Sequence, residues 1–126
     1  MINPTYIEPG GRTFDTNGAL SYKAEVVASA GTISAKAGHL LAMISGAWTA
    51  YAVGTDATAQ SGIEALGVLI EPAELSTTAV ECQVLYAGKV WEDFVRSAGI
   101  LATVTSFEAL IAAPGKLVFA NAKEVN

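Results

Sequence analysis

The sequence predicts a mainly β (α+β) fold: a small β-barrel or sandwich-like domain with one or two short helices and an extended N-terminal arm. Three observations lead there. Residues 80–90, "VECQVLYAGKV", place Val80, Cys82, Val84, Tyr86 and Val90 on one face and Glu81, Gln83 and Lys89 on the other, the alternation of a half-buried strand. From residue 24 onward, short apolar segments recur at regular spacing between glycines and prolines. Before that point, "MINPTYIEPGGRTFDTNGALSY" is broken by Pro4, Pro9, Gly10, Gly11 and Gly18, and follows no helical or strand period.

The elements follow in order. "KAEVVASAGTISA" offers short strands around Val26-Val27 and Thr32-Ile33. "HLLAMI" and "AWTAYAV" read as two strands joined at Ser45-Gly46. Residues 55–65 form a polar loop, and "LGVLIEP" is a buried strand stopped by Pro72, which has no N–H to give a ladder. Gly88 marks a bulge or tight bend in the alternating strand. "WEDFVRSAG" makes about two helical turns, ended at Gly99. "TSFEALIAAPGK" carries a capping box, Thr105 with Glu108, and stops at Pro114-Gly115; "KLVFANA" supplies a last strand. Residues 1–22 are thus an arm and residues 23–126 a single β-rich domain.

Composition narrows the function. Of 126 residues, 52% are hydrophobic and only 15% charged, against an ordinary charged share of about 25%. A small chain with so few charges covers part of its surface with other protein, so an oligomer or assembly subunit is the leading class. Seven basic against twelve acidic residues give a net charge of -5, with no Lys/Arg cluster; neither nucleic acid nor an anionic membrane is an expected partner. Cys82 is the lone cysteine, which excludes an intrachain disulfide and fits synthesis in a reducing cytoplasm. Pro4, Glu8 and Pro9 argue against a signal peptide. Residues 37–55 lack Asp, Glu, Lys and Arg, yet His39, Ser45, Gly46 and Thr49 dilute them, and two strands fit better than a membrane span.

Catalytic chemistry finds little support. His39 is the sole histidine, so a multi-histidine metal site is excluded; its place at the start of an apolar strand suggests a ring satisfied at a strand edge. Glu92-Asp93 is an adjacent acidic pair whose side chains diverge on a helix, where they complement the N-terminal dipole. Glu71 and Glu74 are too sparse for a calcium loop, and the glycines at 9–11 and 54–62 lack the frame of a phosphate loop. Cys82 belongs to an apolar face and reads as core packing. No catalytic residue, metal, cofactor or small-molecule substrate is expected.

The stretch "AGHLLAMISGAWTAYAVGTDATAQSGIEALGVLIEPAEL" followed by "TTAVECQVLYAGKVWEDFV" resembles the head decoration proteins of lambda-type tailed bacteriophages. The resemblance rests on order and spacing over about residues 24–98. Gly38 leads a strand, Trp48 and Tyr51 stand in a short aromatic segment, and a loop rich in Asp, Ala and Thr follows at 55–62. Ala65-Leu66-Gly67-Val68-Leu69 comes next, and the alternating strand ends at Gly88-Lys89-Val90. The resemblance implies a non-enzymatic virion structural protein: a homotrimer on the outer capsid surface, made in the bacterial host cytoplasm. Such trimers sit at three-fold and quasi-three-fold positions of the expanded head and clamp the major capsid protein against the pressure of packaged DNA. It also implies an N-terminal arm that orders on the capsid by adding to a sheet edge, for which Ile2, Tyr6, Ile7 and Phe14 are the candidate anchors. The "PGGRTFDTNG" punctuation departs from the family and points to part of residues 9–18 folding against the body. The alternative is a β-rich binding module, fibre-associated or carbohydrate-binding, with Trp48 or Trp91 as a stacking platform; a hydrolase built on His39 is a further one.

Overall fold

The alternating stretch does form the longest strand, and the rest of the molecule is organised around it. The computed structural model describes residues 5–8, 11–15, 18–55, 57–98 and 113–120. In chain order the elements are β1 (Thr5–Glu8), β2 (Gly11–Asp15), β3 (Leu20–Ala28), β4 (Ile33–Ala35), β5 (Leu40–Ile44), β6 (Ala47–Ala50), β7 (Ile63–Leu69), β8 (Ala73–Leu75), β9 (Val80–Trp91), α1 (Glu92–Ser97) and β10 (Lys116–Ala120). A 3-10 turn, Ala57–Ala59, interrupts the loop before β7.

Five strands close into a barrel in the order β9, β3, β6, β5, β7 and back to β9. Neighbours in this ring are antiparallel except β3 and β6, which run parallel and meet through Val26↔Trp48, Val27↔Thr49 and Ala28↔Ala50. The β5–β6 connection is the two-residue turn expected at Ser45-Gly46. Ile44 pairs with Ala47, and both turn residues have positive φ, 50° and 80°. That is the backbone whose twist matches a tight hairpin.

Two cores result. Val26 and Ala28 of β3, Leu41 of β5, Trp48 and Ala50 of β6, Leu69 of β7 and Val84 of β9 form one cluster. Every barrel strand contributes to it, so it fills the lumen, and the small β4–β8 sheet adds Ile33 and Leu75. The second cluster lies on the outer face of β5, β7 and β9, where Leu40, Ala42, Leu66, Val68, Leu85 and Val90 meet Phe94 and Val95 of α1 and Phe119 of β10. Burying each of the Leu, Val and Phe side chains in this cluster is worth about 1.5–3 kcal/mol. Strands buried on both faces carry near-continuous apolar runs, which is why "HLLA" and "VL" at 84–85 break the alternation.

The barrel agrees with the expected fold class. Several finer expectations change. Val90 does not share a face with Val80, Cys82, Val84 and Tyr86; it packs with Leu85 in the outer core. The ladder to β3 skips a residue at Tyr86, and Gly88 has φ 119° with Ala19 so close that a Cβ would sit 2.9 Å from its Cα. That irregularity resets the period of two. The expected boundary after residue 22 falls inside β3, which begins at Leu20. Strand β8 follows Pro72 directly and was outside the expected set. Residues 37–55 hold β5 and β6, and no helix among the described residues is long and apolar enough to cross a membrane. The first expected helix is α1; the second, with Thr105 and Glu108, lies outside the described residues.

Candidate functional site

Residues 5–8 and 11–15 pair as the two strands of a hairpin. Strands β1 and β2 are antiparallel, with Thr5↔Asp15, Ile7↔Arg12 and Glu8↔Gly11 in register and an irregularity between Thr5 and Ile7. The Pro9-Gly10 step that reads as mere interruption in sequence therefore falls between two strands. The hairpin joins the body through Phe14↔Val90, which sets β2 antiparallel to β9. Phe14 is half-buried against the outer core, and its ring centroid lies 5.9 Å from that of Phe94, tilted by 36°. Such an arrangement suits two aromatic quadrupoles and adds to the area they bury.

This placement divides the four expected anchors. Ile2 lies outside the described residues, and Tyr6 and Ile7 belong to β1. Phe14 seats on the chain's own body, where α1 and β9 leave an apolar surface that it covers. Strand β1 is the terminal strand of the sheet, paired with β2 on one side and with no other strand among the described residues. An unpaired edge of this kind is a template for another chain.

The remaining candidate residues pack or pair within the body. His39 is fully buried. Its Nε2 stands 2.9 Å from the Tyr51 carbonyl oxygen, so Nε2 carries the proton and donates. The ring is not fully satisfied as expected, since Nδ1 has no hydrogen-bond partner among the described residues. Burial lowers the His39 pKa, with the Tyr51 hydrogen bond opposing it.

Trp48 and Trp91 are 3% and 4% exposed, so neither offers a face to a sugar. Trp91 instead has the Lys89 ammonium 5.3 Å from its ring. Cys82 is half-buried beside the lumen, with burial pushing its thiol pKa up, the opposite of what a nucleophile needs. Glu92 and Asp93 occupy the first turn of α1. Glu74 accepts a hydrogen bond from the Ser34 hydroxyl at 2.8 Å across the β4–β8 pair. Among the described residues no three His, Cys, Asp or Glu side chains gather as a metal site would require.

What the sequence did not reveal is the aromatic group at one mouth of the barrel. Trp48 donates from Nε1 to the Tyr22 hydroxyl at 2.9 Å, and the Tyr22 ring packs against that of Tyr86 with centroids 4.8 Å apart and planes tilted by 59°. Tyr22 and Leu20 are nonetheless 44% and 51% exposed. The spacing of Leu20, Tyr22 and Ala24 at alternate positions was the available signal, hidden by the glycines and polar residues before it. No protein-family model matches the chain, and no curated protein matches it.

Proposed function

We propose that the protein is a non-enzymatic capsid decoration protein, a homotrimer that binds the outside of an expanded phage head at its three-fold positions and holds neighbouring major capsid subunits together. The observation that supports this reading best is the terminal hairpin, whose outer strand β1 has an edge with no strand beside it among the described residues. An edge carried on a hairpin can add its backbone to a sheet of a neighbouring shell subunit. The low charge content and the motif order over residues 24–98 support the same reading.

The energetics favour a trimer. Strand β1 has only four residues, and each backbone hydrogen bond it adds is worth about 0.5–1.5 kcal/mol net, so one such edge holds weakly. Linking three such strands through one assembly raises avidity by roughly 10²–10⁴. Firm attachment then requires the trimer.

Light scattering in solution and co-sedimentation with expanded and unexpanded phage heads test the proposal. Trimers should pellet with expanded heads only. Deleting residues 2–10 spares Phe14 and should leave a folded trimer that stays in the supernatant. A monomer that ignores both kinds of head overturns the reading.

A further inference from the structure

Strands β3 and β6 run together only from Val26 and Trp48 onward. Before that point they diverge, because β3 follows β9 from Leu20 to Val26 while β6 turns back at Gly46 into β5. The divergence opens a groove of 340 Å³, lined by Tyr22, Ala24, Val27, Met43 and Trp48 together with Glu25. Along its length β3 residues 20–25 are paired with β9 on one side and with no strand on the other among the described residues. A row of backbone N–H and C=O groups therefore faces an apolar slot.

The rim is acidic. Glu25 stands directly opposite Glu81 across the β3–β9 ladder, and both are exposed. Like charges in that position destabilise a sheet. On the far side Glu64 accepts a hydrogen bond from the Gly46 N–H at 3.1 Å, and Gly46 lines the groove. No Lys or Arg is among the described residues that line it. Lys23, on the same strand face as Glu25, stands opposite Gln83.

We propose that this groove binds an extended, basic peptide segment of a partner protein as an added strand on β3. The segment's backbone completes the ladder along residues 20–25. Its alternate apolar side chains meet the Leu20–Tyr22–Ala24 row, and the flexible Met43 side chain adapts to their shape. A lysine or arginine between them lies beside Glu25 and relieves its repulsion with Glu81. Main-chain bonds supply affinity, and the acidic rim selects the partner. The site lies on the barrel body, so it stands whether or not the terminal hairpin grips a capsid.

The probe is an acetylated, amidated hexapeptide of alternating valine and lysine, titrated into the full chain by calorimetry with amide hydrogen exchange as the second readout. Saturable binding should protect the alternate amides of residues 20–25 that do not bond to β9. A peptide N-methylated at every residue has no N–H to give a ladder on either edge and should bind at least about tenfold more weakly, as should a valine–glutamate peptide. The double variant Glu25→Lys/Glu64→Lys, both positions being exposed, should reverse the preference toward the glutamate peptide. Absence of saturable binding by the lysine peptide overturns the proposal. So does equal binding by the N-methylated peptide, or a double variant whose preference is unchanged.

Discussion

The Trp48 indole donates to the Tyr22 hydroxyl at 2.9 Å, linking β6 to β3 at the level where the two strands part. Trp48 is 3% exposed, so its N–H has little access to water if that acceptor is lost. Tyr22→Phe keeps the tilted ring contact with Tyr86 but orphans the indole, and an unsatisfied buried donor costs about 1–3 kcal/mol. Urea unfolding should show a drop of that size, and Trp48→Phe in the Tyr22→Phe background should cost less than in the wild-type chain.

Gly67 makes room for the same tryptophan. A Cβ at residue 67 would lie 2.8 Å from Trp48 Cζ3 and 3.0 Å from Val84 Cγ1. Both are lumen atoms with no slack in a packed barrel. Gly67→Ala should therefore destabilise by about 1–3 kcal/mol through overpacking. Pairing it with Trp48→Leu should recover part of that loss in a double-mutant cycle, whereas additive costs would show that the two sites do not meet.

These packing relationships mark how far the sequence could be read. The β5–β6 hairpin follows from Ser45-Gly46 between apolar runs, and most of β9 follows from its alternation. Local turn chemistry and a period of two suffice for both. Beyond Tyr86 the alternation misleads, since the phase changes at Gly88 through contact with Ala19, a residue almost seventy positions away by sequence. Strand β8 has three residues, too few to show any period. The groove beside Glu25 has no local signature at all. It arises because β3 and β6, separated by two other strands' worth of chain, pair for three residues and then diverge. Phe14 shows the same limit: its residue type suggested an anchor, while its address on Phe94 depends on how β9 leads into α1.

That address can be tested directly. Phe14 is half-buried and caps the outer core beside Phe94. Phe14→Ala should cost less than the roughly 3–5 kcal/mol of a fully buried phenylalanine. Its larger effect should be local, releasing β2 from β9 while the barrel persists. Limited proteolysis should then cut near residues 9–18 faster, with thermal unfolding shifted only modestly. Phe14→Leu should restore most of the protection.

His39 gives the fold a defined response to acid. Its pKa in the folded protein lies below the ordinary 6.5, first because burial disfavours the imidazolium and despite the opposing Tyr51 hydrogen bond. Above pH 6.5 both folded and unfolded chains hold it neutral, so it adds no pH dependence there. As pH falls below 6.5 the unfolded chain takes up a proton that the folded chain refuses, and stability declines. The decline stops once pH passes the lowered folded pKa, below which both states are charged. Its slope can reach about 1.4 kcal/mol per pH unit. Denaturant unfolding between about pH 7.5 and 5.5, above the ordinary carboxylate range, should show this loss in the wild-type chain. His39→Leu removes the titrating group, so its stability should be nearly flat over that interval whatever its absolute value. An equal slope in both proteins would mean that His39 is not the group responsible.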